Sequence, residues 1–84
     1  MKGRILTKET ITVFISHLHL EEKSANTIEK YARDVKAFAT FLNSRAACKE
    51  LVIEYKQKLI AEGYAVSSIN SMLAAVNGLF DYFG

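Results

Sequence analysis

Apolar residues recur at helical spacing in four successive segments of the chain, separated by short polar connections. The clearest pattern lies in the second segment, whose apolar residues fall on one side of a helix: Ile28, Tyr31, Ala32, Val35, Phe38, Ala39 and Leu42. The four patterns predict helices over about 8–20, 25–42, 48–62 and 68–83.

Local signals at the ends of these segments support the same division. Thr7 and Ser24 each precede an apolar segment and are residues that favour the N-cap position, where the Ser24 hydroxyl can accept from the Thr27 N–H. Gly63 follows the third segment and predicts its end. The chain contains no proline, which favours uninterrupted helices.

Four amphipathic helices joined by short connections predict an all-α fold, a compact orthogonal four-helix bundle. Eighty-four residues are too few to divide between two cores, so residues 1–84 are expected to form a single domain.

Composition and charge narrow the class of protein only slightly. The formal charge of +2 permits a nucleic-acid partner without requiring one. A single cysteine, Cys48, excludes an internal disulfide and fits a reducing compartment. No apolar run approaches the roughly 18 residues that span a membrane, so we expect a soluble, cytoplasmic protein with no membrane partner.

The sequence shows no constellation of residues that would support catalysis. His17 and His19 lie two positions apart, so on a helix they point in different directions and cannot share a metal ion. No phosphate-cradling glycine loop or nucleophile with its base is visible. We therefore expect no catalytic residues, no metal and no cofactor, and we expect that the chain alone is not an enzyme.

A polar stripe on the second helix is the main candidate for binding. Lys23, Asn26, Lys30 and Arg33 lie opposite the apolar side, where they could meet phosphates or a base edge. The backbone N–H groups at the Ser24 turn could also face an anion.

A solvated face explains the same stripe. Glu29 and Asp34 stand four residues from Arg33 and Lys30, so the charges could pair with one another. Spacing alone favours this second explanation.

The fourth helix carries a small polar face that would allow a close approach to another surface. Its members include Ser67, Asn70 and Ser71. DNA and a neighbouring helix are both possible occupants. A protein-interaction module that uses this face together with Val13 and Leu20 is the alternative to nucleic-acid binding.

An ordered set of residues across three helices resembles the core-binding domain of tyrosine recombinases, the phage integrase family. The second helix contributes Ser24-x-x-Thr27-Ile28-x-x-Tyr31 and Asp34-Val35-x-x-Phe38-x-x-Phe41-Leu42. The resemblance continues through Tyr55-x-x-x-Leu59 and Gly63-Tyr64, and ends with Ser67-Ser68-Ile69-Asn70-x-x-Leu73-Ala74-Ala75-Val76-x-x-Leu79-Phe80-x-Tyr82. It covers the chain from the first helix onward.

The resemblance implies a SAM-like DNA-binding module of a site-specific recombinase or integrase. Its implied partners are double-stranded DNA, a catalytic domain of the same parent chain beyond residue 84, and other recombinase subunits assembled on DNA. The catalytic residues of the family would lie in that following domain.

The implied DNA contacts come from the second and fourth helices, which would face the duplex. Lys23 and Arg33 extend the contacts on geometric grounds, and Ser24 adds the turn described above. The residues carried over are Asn26, Thr27, Lys30, Ser67, Asn70 and Ser71.

Overall fold

The structure is a computed structural model, and it describes residues 5–83. Within this range the chain forms four helices, which confirms the all-α prediction. They are α1 (Lys8–Leu20), α2 (Ala25–Leu42), α3 (Lys49–Ala61) and α4 (Val66–Phe83).

The N-termini of α1 and α2 are capped by the residues that the sequence predicts. The Thr7 hydroxyl accepts a hydrogen bond of 3.1 Å from the Thr10 N–H. The Ser24 hydroxyl accepts one of the same length from the Thr27 N–H. Each bond satisfies a donor that the first turn of a helix otherwise leaves free, so both boundaries are fixed locally.

The end of α3 also follows the prediction. Gly63 has a φ of +86°, a left-handed conformation that suits glycine because a Cβ would be strained there. In this turn the Gly63 N–H donates to the Ile60 carbonyl and the Tyr64 N–H donates to the Leu59 carbonyl. The last carbonyls of the helix are thereby satisfied.

The predicted start of the fourth helix needs correction, whereas that of the third does not. α3 begins at Lys49, in agreement with the predicted start at about residue 48, and the side chain of Cys48 before it makes no capping hydrogen bond. The fourth helix is predicted over about 68–83, but α4 begins at Val66. The Ile69 N–H bonds to the Ala65 carbonyl, so the helical ladder starts there and Ser67 lies in the first turn.

The core consists of two groups of buried side chains, and α2 and α4 contribute to both. Val35 of α2 and Leu79 of α4 pack in the first group, with buried residues of α1. Phe38 of α2 and Val76 of α4 pack in the second, with buried residues of α3. The two helices therefore form a central pair, and α1 and α3 pack on it. Among residues 5–83, no helix is long and apolar enough to cross a membrane.

Two glycines offer a matched test of this packing. A Cβ at Gly78 would lie 3.7 Å from Phe14 Cζ and 3.7 Å from Tyr31 Cε2, which is ordinary contact. Gly78→Ala should therefore stabilise α4 by about 0.5–1 kcal/mol, because alanine loses less backbone entropy in a helix. Gly63→Ala should destabilise the chain, because φ is positive there. Urea unfolding followed by far-UV circular dichroism measures both. A destabilising Gly78→Ala would mean that α4 packs more tightly than the structure shows.

Candidate nucleic-acid interface

Lys30 of α2 joins α2 to α4 through two polar contacts. Its ammonium group pairs with the Asp34 carboxylate one turn further along the same helix. It also donates a hydrogen bond of 3.0 Å to the main-chain carbonyl of Ser71 on α4. Two of the three ammonium donors are thus used within the protein. The predicted contact residue Lys30 therefore also holds the two helices together.

The surroundings of Asp34 differ from those that the sequence predicts. The ion pair with Lys30 was expected on a solvated face, but Asp34 is only 7% exposed. The residue lies at the border of the apolar side of α2, next to the fully buried Val35. Its place beside the apolar side of α2 is compatible with burial, but the sequence of α2 does not show that α4 lies next to it. The pair is therefore partly buried, and its charges are less screened than those of a surface pair.

A cleft of about 300 Å³ lies between α2 and the first turns of α4. Seven residues line it: Lys30, Arg33, Asp34, Ser67, Ser68, Ser71 and Met72. The structure therefore brings four of the predicted contact residues together, two from each helix. Ser68 also lines the cleft and is not among the predicted contacts. The early start of α4 places its hydroxyl in the first turn, beside the cleft.

Arg33 is the cation of this cleft that the protein leaves available. It is exposed, and within residues 5–83 its side chain makes no ion pair or hydrogen bond. Its guanidinium group has a planar fork of donors suited to a phosphate. Asn26 and Asn70 are also exposed, although neither lines the cleft.

The remaining predicted contacts lie in the first turn of α2 and in the two residues before it. The Ser24 hydroxyl donates to the Thr27 hydroxyl at 2.9 Å, so both side chains take part in the helix cap. Lys23 lines a different cleft, between the end of α1 and the last turns of α4, together with His17 and Tyr82. The predicted contacts Ser24, Thr27 and Lys23 therefore do not line the cleft that contains Arg33.

The titratable groups with shifted pKa values have structural explanations. Burial raises the pKa of Tyr55 above its usual value, and the Asp34 carboxylate acts in the same direction. A hydrogen bond from its own backbone N–H lowers the pKa of Glu50 in the first turn of α3, and the Cys48 side chain also contributes. Within the described residues, no three His, Cys, Asp or Glu side chains are grouped so that they could hold a metal ion.

The link between α2 and α4 predicts different stability effects for two neighbouring cations. Lys30→Met should destabilise the fold by about 2 kcal/mol, because it leaves a buried carboxylate without its partner. Arg33→Met is the matched control and should change stability by less than about 0.5 kcal/mol, since that side chain is exposed. Chemical denaturation monitored by circular dichroism would compare them. Equal losses for the two variants would contradict a structural role for Lys30.

Comparison with known proteins identifies the family. The profile of the phage integrase N-terminal SAM-like domain matches residues 11–83, which includes nearly all of the four helices. Tyrosine recombinase XerA of Pyrococcus furiosus is 33% identical over 84 residues, which is 100% of this chain and 29% of the relative. The protein named "Putative tyrosine recombinase TTE1313", from Caldanaerobacter subterraneus subsp. tengcongensis, is 25% identical over 83 residues, 92% of this chain and 29% of that protein.

The chain thus spans under a third of the length of the curated relatives that it matches. No solved structure shows a significant match. The profile match extends over both core groups and both helices that form the cleft. The chain belongs to the phage integrase N-terminal SAM-like domain family.

Proposed function

We propose that this chain is a DNA-binding module of a site-specific tyrosine recombinase or integrase. The observation that carries the proposal is the surface shared by α2 and α4. There Arg33 stands beside the serine-lined start of α4, in a chain whose family and relatives are those of recombinases. The surface offers one available cation and several uncharged hydrogen-bonding groups. These are the groups that proteins use to hold a nucleic-acid backbone.

The proposed contact residues fall into two kinds, those that would bind the phosphate backbone and those that could bind a base edge. Arg33 would bind a phosphate, and its loss would weaken binding to any sequence. Ser67, Ser68 and Ser71 could position the same strand through their hydroxyls. Exposed asparagines can bond bidentately to an adenine edge, so Asn26 is the α2 candidate for reading a base.

The other predicted contacts fit the proposal less directly. Asn70 is exposed on α4 and is its candidate for a base contact. Lys23 is exposed in the turn just before α2 and could neutralise a second phosphate. Ser24 and Thr27 would act by fixing the turn, because their hydroxyls are engaged with each other and the Thr27 N–H donates to the Ser24 hydroxyl. An anion would then meet the other backbone N–H groups of the first turn.

The proposed parent protein carries its chemistry elsewhere. The chain corresponds to 29% of the length of XerA, which leaves ample length in that relative for a separate catalytic domain. We infer that such a domain follows residue 84 in the parent protein, that it cleaves and rejoins the DNA, and that this chain grips the duplex in the cytoplasm. Other recombinase subunits assembled on the DNA would be further partners.

The proposal predicts weak binding to duplex DNA with a marked dependence on salt. If Arg33 and Lys23 neutralise two phosphates, affinity should fall about tenfold between about 50 and about 200 mM salt. Fluorescence anisotropy with a labelled duplex measures this. Arg33→Gln should reduce the slope of log affinity against log salt by about 0.9, because one counterion fewer is released.

Lys56→Gln provides the matched control for this experiment. Lys56 is exposed on α3, outside the cleft, and its substitution removes the same charge from the chain. It should leave the slope close to that of the wild-type chain. If the two variants gave equal slopes, the effect of Arg33 would come from the net charge of the chain and not from a phosphate contact at the cleft. Absence of binding at low salt would refute the proposed function.

A second candidate function rests on exposed apolar side chains of α1. Leu20 is 83% exposed and Val13 is 49% exposed, and their separation of seven positions places both on one side of the helix. Exposed apolar residues that lie close together can mark contacts with another protein. A protein-interaction module would use this side of α1.

Sedimentation velocity over a range of concentrations separates the two candidates. An interaction module that binds its own copies should associate as concentration rises, and Leu20→Ser should abolish that association because the apolar contact is lost. Thr12→Ser, at an exposed position of the same helix, is the control. A chain that stays monomeric and binds DNA would favour the recombinase module alone.

A further inference from the structure

The ion pair between Lys30 and Asp34 has a consequence for DNA binding that the family match does not supply. Both residues line the cleft that also contains Arg33. A lysine in such a cleft would ordinarily be counted among the phosphate contacts. Here its charge is opposed at close range by a carboxylate, so the pair as a whole presents no net charge to an approaching anion.

We propose that Asp34 is a positioning residue that withdraws Lys30 from the phosphate-binding cations and uses it to fix α2 against α4. The inference rests on the proposed function, since it concerns how the same surface binds DNA. In this arrangement Arg33 is the cation of the cleft that binds a phosphate. Lys30 sets the distance between the contact residues of the two helices.

The geometry at the Lys30 ammonium group supports this assignment. Asp34 on its own helix and the Ser71 carbonyl on α4 take two of its donors. The Asp34 side chain is 8% exposed, so moving Lys30 towards a phosphate would leave a buried carboxylate without its partner. That cost opposes recruitment of Lys30 by DNA. Arg33 has no such partner within the described residues, and its use involves no comparable loss.

The arrangement also links the contact residues of α2 to those of α4. Ser71 lies one residue after Asn70 and four after Ser67, so a bond to its carbonyl holds this stretch of α4. Lys30 lies three residues before Arg33 on α2, about one turn away. The bond therefore adds a polar link between the predicted contacts of α4 and those of α2, above the core that the two helices share.

Neutralising Asp34 tests the proposal, because it should release Lys30 to the DNA. Asp34→Asn should steepen the slope of log affinity against log salt by about 0.9 and tighten binding about tenfold at about 50 mM salt. Glu29→Gln is the matched control, since it removes a negative charge from an exposed position of the same helix without freeing a lysine. It should change the slope much less.

The double variant Lys30→Met with Asp34→Asn separates release of the lysine from the change in net charge. It should return the slope to the wild-type value, because the pair contributes no net charge in either chain. A slope lower by about 0.9 in the double variant would show that Lys30 binds a phosphate in the wild-type chain, and would overturn the proposal. Circular dichroism at the assay temperature first establishes that each variant is folded.

A variant that does not fold, an unchanged salt slope and an absence of DNA binding lead to different conclusions. If the double variant does not fold, the comparison of Asp34→Asn with Glu29→Gln still tests the inference. Equal slopes of log affinity against log salt for these two variants would overturn it. If the wild-type chain binds DNA and Asp34→Asn leaves the slope unchanged, the role of Asp34 is refuted while DNA binding stands. If the wild-type chain binds no DNA, both fall.

Discussion

The packing of α2 against α4 is the constraint on which the rest of the structure depends. Val35 and Phe38 of α2 are fully buried, and each belongs to a different group of core side chains. Val76 and Leu79 divide α4 in the same way. The helices α1 and α3 thus pack on surfaces that exist only when α2 and α4 are together. The polar surface that we propose for DNA binding belongs to the same pair, so its geometry is set by the core beneath it.

Much of the fold could be predicted because its signals are local. The bounds of α1 and α2 follow from a capping hydroxyl and an apolar side, and both can be read within a few turns of the chain. Gly63 likewise marks its turn through its own backbone conformation. Family membership was also accessible from sequence, because it depends on the order of many positions across three helices and not on any single contact.

Features that depend on contacts between helices could not be predicted from the sequence. The acceptor of the second Lys30 hydrogen bond lies 41 residues further along the chain, so no periodicity in α2 could reveal it. Asp34 looked like the exposed partner of a surface lysine because spacing does not show which neighbour covers a residue at the edge of an apolar side. The early start of α4 has a similar cause. Ala65 is a weaker capping residue than Ser67, yet its carbonyl accepts the first hydrogen bond of α4, two residues after Gly63.

The division of roles between Lys30 and Arg33 has a further physical consequence, because salt acts on them differently. Exposed charges are screened strongly at physiological ionic strength, whereas a pair with one partly buried member is screened much less. Rising salt would therefore weaken the phosphate contact of Arg33 while leaving the bond from α2 to α4 largely intact. A surface organised in this way would release DNA without losing its shape. The contact residues of both helices would then remain in place for the next encounter, and ordering them would not have to be repeated at each binding event.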